Sequence, residues 1–184
     1  MDEYNKKING ELYYSNEKKL VEFRLNAKKL CYDYNRLGPD DINKRIEILE
    51  ELFKSKLDNP WIEQSFYCDY GFNISIGKNF YSNHNLVILD VARVTFGDNV
   101  FVGPNCGFYT AGHPLDYETR NSGLEYGKPI NVGDNVWFGG NVVVMPNVNI
   151  GSNVVIGAGS VVTKDIPSGV VAYGNPCKVI KKLD

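Results

Sequence analysis

The sequence predicts a mainly β chain: a parallel β-helix of hexapeptide repeats with an N-terminal helical segment and an extruded loop. Three observations predict it. Apolar residues recur every six positions from 132 to 162, the phase of that repeat breaks over one long polar stretch, and the composition changes near residue 60.

Residues 1–58 form the expected N-terminal helical region. They hold most of the lysine and leucine and only two glycines, Gly10 and Gly38. Leu20, Phe23, Leu30 and Tyr34 recur at roughly helical spacing, as do Ile42, Ile46, Leu49 and Phe53. Gly38-Pro39-Asp40-Asp41 between the two runs reads as a turn that supplies an N-cap, and Asn59-Pro60 as the stop of the second helix.

Residues 59–184 form the expected β-helix. Val132, Phe138, Val144, Ile150, Ile156 and Val162 are six apart, and Gly133, Gly139, Gly151 and Gly157 follow four of them. Val136, Val142, Val148 and Val154 run in step, and Phe96, Val102 and Phe108 extend the pattern upstream. A period of six scatters these residues around a helix of 3.6 residues per turn. Short strands joined by tight corners keep them all inside, the glycine being assigned to the corner itself. Ile76 and Ile88 sit two residues out of step with Phe96, which places a short insertion near Asp90–Val94. From Phe108 to Val132 the in-phase sites are Pro114, Arg120 and Tyr126, so residues 109–131 are read as a loop leaving the solenoid. Long loops in compact domains are commonly functional or disordered.

Composition excludes several classes. Twenty basic against 22 acidic residues leave no basic excess for nucleic acid and no polybasic face for a membrane. The N-terminus MDEYNKKING lacks the apolar stretch of a signal peptide, and no segment is apolar enough to span a bilayer. Cys31, Cys68, Cys106 and Cys177 are widely separated and form no CxxC pair, which speaks against a zinc or redox centre. These features lead to the expectation of a soluble cytoplasmic protein.

The loop carries one of the two histidines, His113, in Ala-Gly-His-Pro. An ordinary imidazole titrates near pH 6.5 and can accept a hydroxyl proton at neutral pH. His84, in Ser-Asn-His-Asn, is read as a surface or packing residue. Two histidines do not supply the three ligands of a zinc hydratase, so no catalytic metal is expected. Near the C-terminus, Gly157-Ala158-Gly159-Ser160, Thr163-Lys164 and Gly174-Asn175-Pro176-Cys177-Lys178 precede Lys181 and Lys182. Glycines let a long ligand lie along a solenoid edge and lysines meet phosphates; corner glycines and a solvated basic tail are the structural alternative.

Taken in order, these segments resemble the maltose, galactoside and nodulation acetyltransferases of the hexapeptide left-handed β-helix superfamily. The resemblance runs from Gly10-Glu-Leu-Tyr-Tyr-Ser15 and Arg24-Leu-Asn-Ala-Lys-Lys through Cys68-Asp69-Tyr70-Gly71 and Asn79-Phe-Tyr81-Ser-Asn83. It continues through Thr110-Ala-Gly-His113-Pro, Asn135-Val-Trp137-Phe-Gly-Gly140 and Val162-Thr-Lys-Asp-Ile-Pro167 to Gly174-Asn-Pro. It implies a left-handed coil, where the general crossover rule favours the right hand. It further implies an acetyl-CoA-dependent O-acetyltransferase acting on a sugar hydroxyl, assembled as a homotrimer with each site between two subunits. In that reading His113 is the general base, with Asn83 beside it. Ser15, Arg24, Asp69, Tyr81, Asn83, Asp90 and Glu125 serve the acceptor. Trp137, Gly140, Ala158, Thr163, Lys164, Lys178 and Lys181 line the coenzyme, the Gly140 N–H facing the thioester carbonyl.

The chain departs from the galactoside branch at Ser15, where an aspartate is expected, and at Lys178 and Lys181, which replace arginines. An acidic acceptor ligand of that branch aligns on Val91, next to Asp90, whereas Glu125 and Asn121-Ser-Gly look more like the maltose branch. Two rival readings stay open: acetylation of another hydroxyl, as in an antibiotic or serine, and a non-catalytic solenoid.

Overall fold

The computed structural model describes residues 2–183; residues 1 and 184, the outer limits of the two expected regions, lie outside it. From residue 61 the chain winds as a left-handed parallel β-helix of about six turns. Its strands of two to four residues stack into three sheets. Sheet 1 contains Trp61–Ile62, Tyr81–Ser82, Phe101–Val102, Val136–Phe138, Val154–Ile156 and Val170–Tyr173, with Lys178–Lys182 added antiparallel at the top. Sheet 2 contains Phe66–Cys68, Leu86–Leu89, Gly107–Tyr109, Val143–Val144 and Val161–Val162. Sheet 3 contains Ile74–Ser75, Val94–Phe96, Ile130–Val132 and Asn149–Ile150. The chain turns at three edges: the first between sheets 1 and 2, the second between sheets 2 and 3, the third between sheets 3 and 1.

The residues at the six-residue spacing point inward. Ile62, Ser82, Val102, Phe138, Ile156 and Ala172 form one buried column, each in register with the next. Phe80, Phe96, Phe108 and Phe138 fill the axis, successive ring centroids lying 5.1, 4.9 and 5.2 Å apart in tilted or edge-to-face contact. Burying one such ring stabilises the fold by roughly 1.5–3 kcal/mol.

The corners work differently from the expectation. Positive φ falls on asparagines: Asn99, Asn135 and Asn153 lie at 54°, 56° and 56°. Their amides stack in a ladder along the third edge, Asn59 to Asn79 (2.8 Å), Asn79 to Asn99 (2.9 Å), Asn99 to Asn135 (3.2 Å) and Asn135 to Asn153 (3.1 Å). The glycines answer to close approach between coils. A Cβ on Gly103 would lie 2.6 Å from the Gly140 nitrogen, and one on Gly139 2.6 Å from the Ala158 nitrogen.

Every departure from the six-residue spacing occurs on the second edge. Cys68 to Ile76 and Ile88 to Phe96 are each two residues longer than the repeat, Phe108 to Val132 contains the extrusion, and Val162 to Ile166 is two residues shorter. The extrusion is shorter than the expected 109–131, because Tyr109 ends a sheet-2 strand and Ile130 begins a sheet-3 one. Residues 110–129 form an ordered hairpin rather than an irregular loop. Ala111–Gly112 pairs antiparallel with Leu124–Gly127, and Tyr13–Tyr14 adds a third strand.

Three helices precede the solenoid: α1 (Glu3–Ile8), α2 (Lys18–Tyr34) and α3 (Ile42–Phe53); α4 (Tyr117–Asn121) lies in the hairpin tip. The sequence pattern did not indicate α1, whose N-cap Asp2 accepts from the Asn5 N–H (2.7 Å). Asp41 precedes α3 but makes no side-chain cap bond there; its carboxylate accepts from the Gly38 N–H (3.0 Å). α3 stops at Lys54, whose φ of 55° ends it before Asn59-Pro60 is reached. Leu30, Tyr34, Leu49, Leu52 and Phe53 join Ile62 and Phe66 in one buried cluster that closes the bottom of the solenoid.

Candidate active site

On the second edge, buried Thr110 fixes the departure of the hairpin: its hydroxyl donates to the Leu89 carbonyl (2.6 Å) and accepts from the Ala92 N–H (2.8 Å). The strand pair then delivers His113 to an exposed position, with Nδ1 3.2 Å from the Leu124 carbonyl oxygen. A carbonyl only accepts, so Nδ1 carries the proton and Nε2 keeps a free lone pair. Arg120 holds the far side of the turn through the Pro114 and Leu115 carbonyls (3.2 and 3.1 Å).

Beneath His113 lies a polar cluster. Arg24 donates to the Tyr70 hydroxyl (2.8 Å) and to the Ser15 backbone carbonyl (2.7 Å), so Ser15 enters through its main chain. Glu125 accepts from the Tyr13 hydroxyl, and burial together with that bond pushes the Tyr13 phenol well up. Burial and then Glu125 raise the Asp69 carboxyl, against Arg24, Lys28 and Lys7.

Asp90 is fully buried. One carboxylate oxygen accepts from the Asp69 and Tyr70 N–H groups (2.9 Å each), while Oδ2 has no partner among the described residues. Burial raises its carboxyl to about 6. Asp90 therefore shapes the backbone that presents Asp69 instead of facing solvent. Lys7 sits buried with Nζ 4.2 Å from the Tyr70 ring centroid, and desolvation lowers it to about 8 against the pull of Asp90, Glu125 and Asp69. Sequence reasoning missed Lys7, Tyr13 and Tyr70. Tyr70 stands inside the quoted Cys-Asp-Tyr-Gly segment and Tyr13 inside Gly10-Glu-Leu-Tyr-Tyr-Ser15, but Lys7 carried no signal. Thr163 and Lys164 occupy the same edge at the coil of Val161–Val162 and are exposed.

The first edge carries the other expected residues. Asn83 accepts from the His84 N–H (2.7 Å) through Oδ1, which directs its NH₂ outward. Tyr81 and Phe101 stack with centroids 6.1 Å apart, and Trp137, 57% exposed, continues that outer face. Gly140 and Ala158 lie on successive coils, joined by the Gly159 N–H to the Gly140 carbonyl (2.9 Å). Their own N–H groups donate to nothing among the described residues. Lys178 and Lys181 lie on the exposed top strand of sheet 1, opposite Tyr173 and Val171. Lys164, Lys178 and Lys181 form no ion pair among the described residues.

One chain thus brings the expected residues together in two groups and does not bring those groups to each other. Asn83 and the second edge are separated by one flank of the prism, about 20 Å for six extended residues. His84 is exposed beside Asn83, its Nδ1 against the Gln64 carbonyl. Among the described residues no cluster of three or more His, Cys, Asp or Glu could hold a metal ion, and no helix is long and apolar enough to cross a membrane.

Comparison with known proteins agrees with this geometry. Residues 6–56 match the maltose acetyltransferase hexapeptide capping motif, and residues 129–164 the bacterial transferase hexapeptide of six repeats. The galactoside O-acetyltransferase of Escherichia coli K12 is 47% identical over 95% of this chain and 86% of its own length. A crystal structure of a maltose O-acetyltransferase from Clostridium difficile 630 superposes with a TM-score of 0.98 at 50% identity, over 100% of this chain and 98% of that one. A galactoside acetyltransferase in complex with coenzyme A gives 0.96 at 45% identity, over 100% and 92%.

Proposed function

The chain belongs to the maltose and galactoside O-acetyltransferase family and is an acetyltransferase; from that premise we propose that it moves an acetyl group from acetyl-CoA to a sugar hydroxyl, with His113 as general base. The observation that carries the proposal is the Nδ1 contact with the Leu124 carbonyl, which leaves Nε2 free to take a proton. A general base so placed contributes about 10²–10⁴ in rate.

The first edge suits a long anionic co-substrate. Unpaired N–H groups at Gly140 and Ala158 stand in a row, and Lys178 and Lys181 have no competing carboxylate. The thioester supplies an activated acetyl group; the chain does the rest. Nε2 of His113 takes the hydroxyl proton, and the Gly140 N–H offers a donor for the charge that develops on the acetyl oxygen. Asp69, Glu125 and Arg24, steadied by Asp90, Tyr13 and Tyr70, hold the hydroxyl carrier. Trp137 flanks the coenzyme chain, and Thr163 with Lys164 meets its phosphates.

A complete site needs both edges, so a second copy must present its second edge to the first edge of this one. Three copies closing in a ring give the homotrimer proposed here, each interface holding a site with Asn83 and Tyr81 from one subunit and His113 from the next. Four free cysteines fit a reducing compartment and support a cytoplasmic location.

Release of free thiol from acetyl-CoA, measured with maltose, glucose, a galactoside, serine and a hydroxylated antibiotic, tests the assignment. Sugar-dependent release abolished in His113→Ala is expected. Release with serine or the antibiotic alone would overturn the sugar reading, and none with any acceptor would overturn the catalytic one.

A further inference from the structure

Cysteines 37 residues apart in sequence meet in the fold. Cys31 on α2 and Cys68 at the end of the first sheet-2 strand place their sulfurs 3.8 Å apart, both as free thiols. Both line a surface groove of about 580 Å³ between α2 and the first coil, whose walls include Lys28, Tyr32, Arg36 and Tyr67. Lys28 is exposed, and the Arg36 guanidinium lies 3.7 Å from the Tyr32 ring centroid. Nothing in the acetyl-transfer chemistry uses either sulfur. The other two cysteines stand apart: Cys106 donates to the Gly139 carbonyl in the corner of the next coil (3.2 Å), and Cys177 sits near the top of the solenoid.

We propose that Cys31 and Cys68 form a redox-active dithiol, a modification site at which a small anionic disulfide of the glutathione type is reduced as a Cys31–Cys68 cross-link closes. A dithiol of this separation needs the sulfurs to approach to the covalent distance of about 2.05 Å, a movement of less than 2 Å shared between a helix and an end strand. Both cysteines are buried at the inner wall of the groove, 2% and 7% exposed, so attack requires Cys31 to turn outward into it. The groove's two cations suit carboxylates on the incoming disulfide.

The chemistry balances as two exchanges. The two thiols share a hydrogen bond in which either can donate, and their contact favours the Cys31 thiolate and disfavours the Cys68 one, which burial disfavours further. Cys31 as thiolate attacks one sulfur of the small disulfide, forming a mixed disulfide and releasing one thiol, which carries away the Cys31 proton. Cys68 then attacks the Cys31 sulfur, the mixed disulfide breaks, and the second thiol leaves with the Cys68 proton. The small disulfide is reduced and the protein pair oxidised.

The cross-link would join two elements that carry acceptor-side groups. Cys31 lies two helical turns beyond Arg24 on α2, and Cys68 directly precedes Asp69. An effect on acceptor KM rests on the proposed acceptor pocket; the thiol exchange does not.

The test uses the full chain incubated with glutathione disulfide, quenched in acid, thiol-counted after denaturation and peptide-mapped. Expected is the loss of two of the four thiols, a mass lower by two hydrogens, a linked Cys31–Cys68 peptide, and full reversal by dithiothreitol. Cys68→Ser should stop at a glutathione adduct on Cys31. Lys28→Glu should slow the reaction about two- to fivefold, the scale of an exposed charge pair, and leave the rate with cationic cystamine no lower. Four free thiols in the wild-type chain after incubation, or a cross-link through Cys106 or Cys177, would overturn the proposal without touching the acetyltransferase assignment. Equal slowing of glutathione disulfide and cystamine would overturn the preference for an anionic disulfide.

Discussion

If each site is assembled from the first edge of one subunit and the second edge of another, two impaired variants should restore activity when mixed. Asn83→Ala damages only the first edge, and His113→Ala only the second. Loss of the Asn83 side chain should cost about tenfold or more, the scale of one hydrogen bond to a charged group, and loss of His113 about 10²–10⁴. In a closed ring formed from an equal mixture, half of the first edges come from the His113→Ala chain and half of the second edges from the Asn83→Ala chain. About one quarter of all interfaces then combine two intact edges, whatever the number of subunits in the ring. Denaturing the two variants together, refolding and assaying thiol release should therefore recover about a quarter of wild-type activity. A mixture of His113→Ala with Asp69→Ala is the control, because both lesions lie on the second edge and no interface escapes. The geometry behind this is the flank between Asn83 and the second edge, too long for one chain to bridge. A refolded first mixture no more active than its parents would refute the split site, as would recovery in the control.

Other expectations follow from individual contacts. His113→Ala should lower kcat by about 10²–10⁴ while coenzyme A binding by calorimetry persists; His84→Ala, outside the hairpin, should keep most activity. Lys164→Ala or Lys178→Ala should raise the KM for acetyl-CoA about tenfold at 0.1 M salt and much less at 1 M, where the Debye length falls from about 10 to 3 Å, with the sugar KM unchanged. Asn135→Ala loses two ladder bonds and puts a Cβ-bearing residue without Asn's local bonding at positive φ, so urea unfolding should show a loss of about 2 kcal/mol; Asn135→Gly, which keeps the backbone freedom, should lose about half of that. Asp90 adds a pH dependence. Its folded value of about 6 exceeds the ordinary 3.8, so the unfolded chain releases this proton first. Stability should fall between about pH 4 and 6 by about 3 kcal/mol and level off above, a step that Asp90→Asn should remove.

What the sequence made legible was the solenoid interior, because packing on a narrow axis admits only apolar residues at fixed spacing and so writes its period into the chain. The corners were written just as regularly but in a residue type that was overlooked. Gly77-Lys-Asn79, Gly97-Asp-Asn99, Gly133-Asp-Asn135 and Gly151-Ser-Asn153 repeat a glycine for the close approach of the next coil and an asparagine for the positive φ. Attention to the glycine alone assigned both duties to it. The ends of the helices were less legible for a local reason: Lys54 adopts positive φ without glycine or asparagine to announce it, so the stop was placed at Asn59-Pro60. Tyr13–Tyr14 could not be read as a strand at all, since a two-residue strand has no period and its partner Leu124–Gly127 lies more than a hundred residues away. The Cys31–Cys68 pair was hidden by separation of the same kind.

The second edge shows why function settles where the repeat fails. Inward positions are fixed by the core and outward positions on the flanks by the neighbouring coil, which leaves the corners free to change length without unstacking the sheets. Here the second edge takes all of that freedom: two extra residues in each of the first two coils, the hairpin in the third, a shortening in the fifth. Each alteration moves a residue of the proposed site. The extra residues include Asp90, whose buried carboxylate fixes Asp69 and Tyr70. The extrusion carries His113 and borrows Tyr13–Tyr14 to hold Glu125. The shortened corner presents Thr163 and Lys164 two coils above Thr110, about 10 Å along the axis at the ordinary strand spacing. Asp69, Asp90 and Glu125 thus gather at the lower coils together with Arg24 and Lys7, while Lys164 stands exposed above. The lower cluster, of both signs, suits the neutral hydroxyl carrier of the proposed reading. The first edge keeps strict spacing through Gly103, Gly139 and Gly157, and its offering is correspondingly plain: close-packed backbone with outward N–H groups at Gly140 and Ala158. In the proposed reading a regular edge holds the extended co-substrate, an irregular one places the acid–base chemistry, and a second copy of the chain sets one against the other.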